Sequence, residues 1–125
     1  MKIRIKGNSI RYRLTKTEVE TFCKTGMFKE NTDFGHSVFS YVLKAKKGID
    51  SLEASYGENT ITLYLDDKKQ SGWDISDKVG FSGTMDLPNG KKLLLLVEKD
   101  FACLDNTAED QSDNYPNPKS DSNIC

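Results

Sequence analysis

The first fourteen residues alternate strictly between apolar and polar or charged side chains on either side of a short break. The alternation runs over Lys2–Lys6 and resumes over Ile10–Leu14, with Gly7-Asn8 between the two runs. A period of two is typical of strands with one buried face, and a glycine at the first central position favours a type II′ turn. The segment therefore predicts a β-hairpin in which Lys6 pairs with Ser9.

The predicted register separates the hairpin into an apolar face and a cationic face. Ile5 lies opposite Ile10, Ile3 opposite Tyr12, and Arg4 opposite Arg11. All five cations of the segment then share one side of the sheet, since alternate residues of a strand point to the same face. We call this set the basic face: Lys2, Arg4, Lys6, Arg11 and Arg13.

The charges of the chain are split between its two parts. Residues 1–48 carry 11 basic and 4 acidic residues, a balance of +7, whereas residues 49–125 carry 7 and 15, a balance of −8. Such a split indicates either an acidic partner for the first part or two parts that face each other in one fold. Because a compact domain brings both parts together, self-complementation is the preferred interpretation.

The rest of the chain predicts one or two short helices and several strands. A capping box at Thr17 and Glu20 starts a helix that Gly26 ends. Further strands are predicted over residues 27–34, 38–45, 52–56, 60–65, 79–87 and 92–101, with a helical segment over 66–77. Four consecutive leucines, 93–96, predict a last strand buried on both faces.

These elements predict an α+β fold in a single domain. Residues 1–104 form a curled, mostly antiparallel sheet of seven or eight strands, which could close into a barrel, with one or two short helices. Residues 105–125 are polar, acidic and proline-containing, so we expect a disordered or loosely draped C-terminal tail. Strands 38–45 and 92–101 are candidates for a sheet edge that pairs in a homo-oligomer.

Three interpretations of the basic face remain open. Its long side chains could extend into water as a solvated surface. Neighbouring strands could supply ion-pair partners, for which the candidates are Glu30, Glu53, Glu98 and Asp100. Alternatively, the face lines a groove that binds an anion such as a phosphate.

A basic first strand, a curled antiparallel sheet and two carboxylates on a late strand together resemble the triphosphate tunnel metalloenzymes. This resemblance implies a metal-dependent phosphohydrolase in which the basic face grips phosphate while Glu98 and Asp100 hold Mg²⁺. The chain departs from that family at its opening strand. The family has Glu-x-Glu-x-Lys there, whereas this chain has Lys2, Arg4 and Lys6.

Several other chemistries are disfavoured by the residues present. Cys23, Cys103 and Cys125 form no Cys-x-x-Cys pair, and His36 is the only histidine, so neither a disulfide framework nor a zinc site is indicated. The pI of about 5.8 counts against nucleic acid as a partner. No apolar run approaches the length of a membrane helix.

Three strings resemble a family of short bacterial proteins of unknown function. They are KIRIKGNSIRYRL at the start, VEKDFACL at residues 97–104, and EDQSDNYPNP at residues 109–118. The resemblance implies no activity, but it suggests that Tyr115 docks on the domain or on a partner. We expect a cytoplasmic binding or interaction module without a cofactor, whose partner is an anionic small molecule or a protein. The alternative is the phosphate- or nucleotide-handling enzyme, with Mg²⁺.

Overall fold

The structure, a computed structural model, describes residues 1–101 and 113–116. It contains eight strands, two α-helices and one 3₁₀ turn. In chain order these are β1 (Lys2–Ile5), β2 (Ser9–Leu14), α1 (Lys16–Thr25), β3 (Met27–Asp33), β4 (Val38–Lys46), β5 (Glu53–Gly57), β6 (Thr60–Asp66), α2 (Asp67–Gln70), the 3₁₀ turn (Trp73–Ile75), β7 (Gly80–Asp86) and β8 (Lys92–Lys99).

The strands form two four-stranded sheets instead of the single sheet that the sequence predicts. The first sheet has the order β1-β2-β8-β7 and the second has β3-β4-β6-β5. Each consists of two antiparallel hairpins whose second strands pair in parallel, β2 with β8 and β4 with β6. The α+β class and the mostly antiparallel pairing are confirmed.

The predicted barrel closure is wrong for the part of the chain that the structure describes. Four strands, β1, β7, β3 and β5, each pair on one side only, so both sheets keep open edges. These open edges likewise leave the resemblance to the triphosphate tunnel fold without structural support. The two strands predicted at a sheet edge, β4 and β8, are both central. Local patterns identify hairpins, but they do not determine which hairpins then pair.

The opening hairpin has the predicted register. Ile3 pairs with Tyr12, Arg4 with Arg11 and Ile5 with Ile10. The amide of Lys6 donates to the carbonyl of Ser9 at 3.1 Å. Gly7 has a φ of +53°, which glycine adopts without strain.

Helix α1 begins earlier than predicted. Its N-cap is Thr15, whose hydroxyl accepts from the amide of Glu18 while the Glu18 carboxylate accepts from the amide of Thr15. The capping box is therefore two residues ahead of the predicted pair, Thr17 and Glu20. Two overlapping Thr-x-x-Glu patterns occur here, and the earlier one follows directly after β2. The predicted end at Gly26 is confirmed by its left-handed φ of +80°.

The hydrophobic core lies between the inner faces of the two sheets and continues beneath α1. The hydroxyl of Tyr12, which is fully buried, donates to the carbonyl of Ile61 at 3.2 Å and so joins the sheets. At the end where β2 and β6 finish, α1 and α2 cover the sheets, and Phe22 meets Trp73 edge to face with ring centroids 6.4 Å apart. This end of the sandwich is closed by packed side chains.

The leucine run of β8 is only partly buried, contrary to the prediction. Leu95 and Val97 point into the core, whereas Leu94 is 50% exposed on the opposite face. The reason is that the described elements place no second layer over the outer face of the first sheet.

Part of the predicted tail docks on the domain. The carboxylate of Asp113 accepts from the hydroxyl of Thr17 at 2.8 Å, and the amide of Tyr115 donates to the carbonyl of Asp100 at 2.9 Å. Tyr115 also packs against the core. The remaining tail prediction, over residues 105–112 and 117–125, falls outside the described residues.

Candidate functional site

The basic face is the outer surface of one half of the first sheet. Strand β1 contributes Lys2 and Arg4, with Lys6 following in the turn, and β2 contributes Arg11 and Arg13. The parallel pairing of β2 with β8 then sets Glu98 beside Arg13. All five predicted cations therefore lie on the same side of the sheet as Glu98, and the second predicted carboxylate, Asp100, follows directly after β8.

Two of the five cations are held by those carboxylates. Arg11 Nε forms an ion pair with Glu98 Oε1. Lys2 Nζ lies 3.2 Å from Oδ2 of Asp100, a residue that is only 4% exposed. The ion-pair interpretation of the basic face is confirmed for Glu98 and Asp100.

The other two candidate partners serve different cations. Glu53 pairs with Lys46 at 3.0 Å on the second sheet. Glu30 lies 3.7 Å from the amino group of Met1, which also forms an ion pair with Glu18. Neither carboxylate therefore reduces the charge of the basic face.

Three cations of the basic face have no ion-pair partner within 4 Å among the described residues: Arg4, Lys6 and Arg13. Arg4 faces Arg11 across the hairpin, and Lys2 faces Arg13 in the same way. The pKa of Arg13 is lowered, first by its partial burial and then by repulsion from Arg11. Like-charged pairs placed opposite each other are destabilising, so this face concentrates positive charge that the described carboxylates compensate only in part.

The side chains of the basic face line a small open pocket. Its volume is about 140 Å³, and it is lined by Lys2, Ile3, Arg4, Arg11 and Arg13. Lys6 lies beyond this pocket at the hairpin turn. Guanidinium groups around a concave surface are suited to oxyanions, which they bind through paired N–H donors.

The predicted magnesium ligands are already engaged with cations. Glu98 contacts Arg11 and Asp100 contacts Lys2. Across residues 1–101 and 113–116, no group of three or more His, Cys, Asp or Glu side chains is placed to hold a metal ion. The magnesium site thus stays a prediction, and it would require both carboxylates to exchange their partners.

A second surface, an apolar cleft between the sheets, was missed by sequence reasoning. It has a volume of about 480 Å³. Its apolar lining comes from residues next to the hairpin turns, notably Ile5, Ile10, Phe39, Tyr56, Ile61 and Leu93. The sequence does contain a signal for this cleft, because each hairpin carries an apolar residue close to its turn. That signal indicates a cleft only once the two sheets are known to face each other.

Within the described ranges, no helix is long and apolar enough to cross a membrane. No curated protein and no solved structure gives a significant match to the chain. A family model does match, over residues 1–119, and its range includes the basic face, the cleft and the docked segment around Tyr115. The predicted membership of a family of unknown function is thereby confirmed: the chain belongs to the family of unknown function DUF7009.

Proposed function

We propose that this protein is a binding module that takes an oxyanion of the phosphate class on its basic face. One observation carries the proposal. Arg4 and Arg13 line a concave pocket and have no carboxylate partner within 4 Å among the described residues, although Glu98 and Asp100 lie close by and hold their neighbours.

The charge balance of this surface favours an anion. Among the described residues, five cations of this surface face two carboxylates, a balance of +3. The ion pairs at Arg11 and Lys2 position two cations beside the pocket, while Arg4 and Arg13 have no carboxylate within 4 Å among the described residues. An oxyanion between them would offset the repulsion of the cross-strand pairs and accept hydrogen bonds from planar guanidinium groups.

The carboxylates support binding in preference to metal-dependent hydrolysis. Glu98 and Asp100 each face a cation at ion-pair distance. In the binding proposal they orient Arg11 and Lys2 and take no part in chemistry. In the enzymatic alternative they would release these cations in order to coordinate Mg²⁺, and phosphate would then occupy the space between metal and arginines.

Titration calorimetry with tripolyphosphate, in the presence and absence of Mg²⁺, tests the proposal. We expect saturable binding that does not need Mg²⁺ and that weakens at high salt, because exposed charges are screened. Arg4→Gln and Arg13→Gln should each weaken binding by roughly tenfold to a hundredfold, since one charge-assisted contact is worth about 1.5–3 kcal/mol. Lys44→Gln is the matched control, an exposed cation on β4 of the other sheet, and should bind as the wild type does.

The contrary outcomes are distinct. Absence of binding in low salt overturns the proposal, and so does equal weakening by the Lys44 control. Binding that requires Mg²⁺ and is lost in Glu98→Gln would support the hydrolase alternative, which phosphate release would then establish.

A further inference from the structure

The apolar cleft lies at the end of the sandwich where all four hairpin turns meet. Its lining residues flank the β1–β2, β3–β4, β5–β6 and β7–β8 turns. Helices cover the opposite end, but none of the described elements covers this one. As a result, Ile5 is 56% exposed and Tyr56 is 71% exposed. Exposed apolar surface of this kind inside a concave site is typical of ligand clefts.

The shape of the cleft favours a narrow apolar ligand over a second copy of the chain. Two copies meeting through this end would bring two concave surfaces together, so only their rims would touch and the apolar interior would stay unfilled. A flexible hydrocarbon chain, in contrast, can enter between the sheets and cover Ile5, Phe39 and Ile61. The volume of about 480 Å³ is within the range of small-molecule sites.

The charges at the rim indicate what the other end of that ligand carries. At the rim of the first sheet, Lys91 is exposed and has no ion-pair partner among the described residues. Its carbonyl accepts from the amide of Leu87, which lines the cleft, at 2.9 Å. Its neighbour Lys92 is already paired with Asp86 at 2.6 Å. The rim of the second sheet carries Glu58 in the β5–β6 turn. A negatively charged head is therefore attracted to the first sheet and repelled from the second.

We propose that the cleft binds a single-chain amphiphile with a carboxylate head, its hydrocarbon chain between the sheets and its head at Lys91. This site is separate from the oxyanion pocket, because Ile5 points into the cleft while Arg4 and Arg13 lie on the opposite face of the same sheet.

Decanoate below its micellar concentration is the probe, measured by calorimetry and by amide chemical shifts. We expect one molecule per chain, with the largest shifts at residues that line the cleft. Tyr56→Ser should weaken binding roughly fivefold to tenfold, since aromatic contacts dominate such sites. Lys91→Glu should weaken decanoate more than decanol, which has the same chain without the charge.

Two control variants establish whether decanoate occupies the cleft and not another surface. Ile75→Ser removes an apolar side chain that is 87% exposed and does not line the cleft, so it should leave decanoate binding unchanged. Arg4→Gln should also leave it unchanged, which separates a failure here from a failure of the oxyanion proposal. The inference is overturned if decanoate does not bind, if Tyr56→Ser binds it equally well, or if sedimentation shows a dimer that Tyr56→Ser abolishes.

Discussion

The hydroxyl of Tyr115 gives a sharp test of how the C-terminal segment docks. The centroid of the Tyr115 ring lies 5.6 Å from the ring centroid of Phe101 and 5.0 Å from Lys99 Nζ. Its hydroxyl oxygen is buried and has no hydrogen-bond partner among the described residues. Tyr115→Phe should therefore raise the free energy of unfolding by up to about 1 kcal/mol at pH 7, because an unsatisfied buried hydroxyl costs about that much or more.

The same hydroxyl makes the protein sensitive to alkaline pH. Burial raises the pKa of Tyr115 from 10.0 to about 12. In the unfolded chain the phenol loses its proton near pH 10, whereas the folded protein keeps it to higher pH, so stability is lost as pH rises through this window. At pH 11 the loss from this group is on the order of 1 kcal/mol. Tyr115→Phe should not lose this stability at pH 11. The raised pKa values of Tyr12 and Tyr41 destabilise the wild type and the variant alike at that pH.

Urea unfolding at pH 7 and pH 11 measures both effects. Tyr115→Ala is the companion variant. It removes the ring as well, and it should cost about 2 kcal/mol, less than the 3–5 kcal/mol of a fully buried aromatic residue, because Tyr115 is only half-buried. The docking geometry is refuted if Tyr115→Phe destabilises the protein at pH 7, or if its stability falls with pH as steeply as that of the wild type.

Three further substitutions test other parts of the fold. Gly80→Ala should cost about 3 kcal/mol of stability or prevent folding, since its Cβ would lie 2.3 Å from a carbonyl oxygen of β8. Gly57→Ala is the control, because its Cβ meets nothing within 4 Å, and equal melting temperatures of the two variants would contradict the prediction. Thr15→Ala should cost about 1 kcal/mol in urea unfolding, because it removes the N-cap of α1. A larger loss for Thr17→Ala would indicate that Thr17, and not Thr15, is the N-cap. Hydrogen bonds from threonine side chains lower the pKa of Asp113, so this carboxylate stabilises the folded protein above about pH 4 and stops doing so as the pH falls further. Asp113→Asn removes this contribution, and its folded fraction, followed by circular dichroism, should therefore fall less steeply with acid than that of the wild type.

The sequence predicts those features of the fold that depend on neighbouring residues. The opening hairpin follows from its alternation and from Gly7, and the end of α1 follows from Gly26, because both signals act within a few residues. The start of α1 was misplaced for a related reason: two Thr-x-x-Glu patterns overlap, and only the connection to β2 selects Thr15. Local signals thus identify elements better than their exact limits.

Pairing between distant strands is what sequence reasoning could not predict. Glu98 and Asp100 were two of four candidate partners for the basic face, and only the parallel pairing of β2 with β8 selects them. The apolar cleft depends on the same kind of information, since Ile5, Phe39 and Tyr56 come from different hairpins. A hairpin determines its own register, but the stacking of two sheets depends on the summed burial of all their inner faces.

The split of charge along the chain is only partly explained by self-complementation, and the remainder gives a last prediction. Lys2 and Arg11 from the basic part meet Asp100 and Glu98 from the acidic part, but Arg4 keeps its charge opposite Arg11 without an ion-pair partner in the described residues. Like charges placed opposite each other cost some tenths of a kcal/mol. Arg4→Gln should therefore stabilise the free protein by about 0.2–1 kcal/mol in urea unfolding while it weakens tripolyphosphate binding. Such an opposition of stability and binding is the mark of a residue kept for a ligand. If Arg4→Gln instead destabilises the free protein, the arginine serves the fold, and the charge split needs no ligand to account for it.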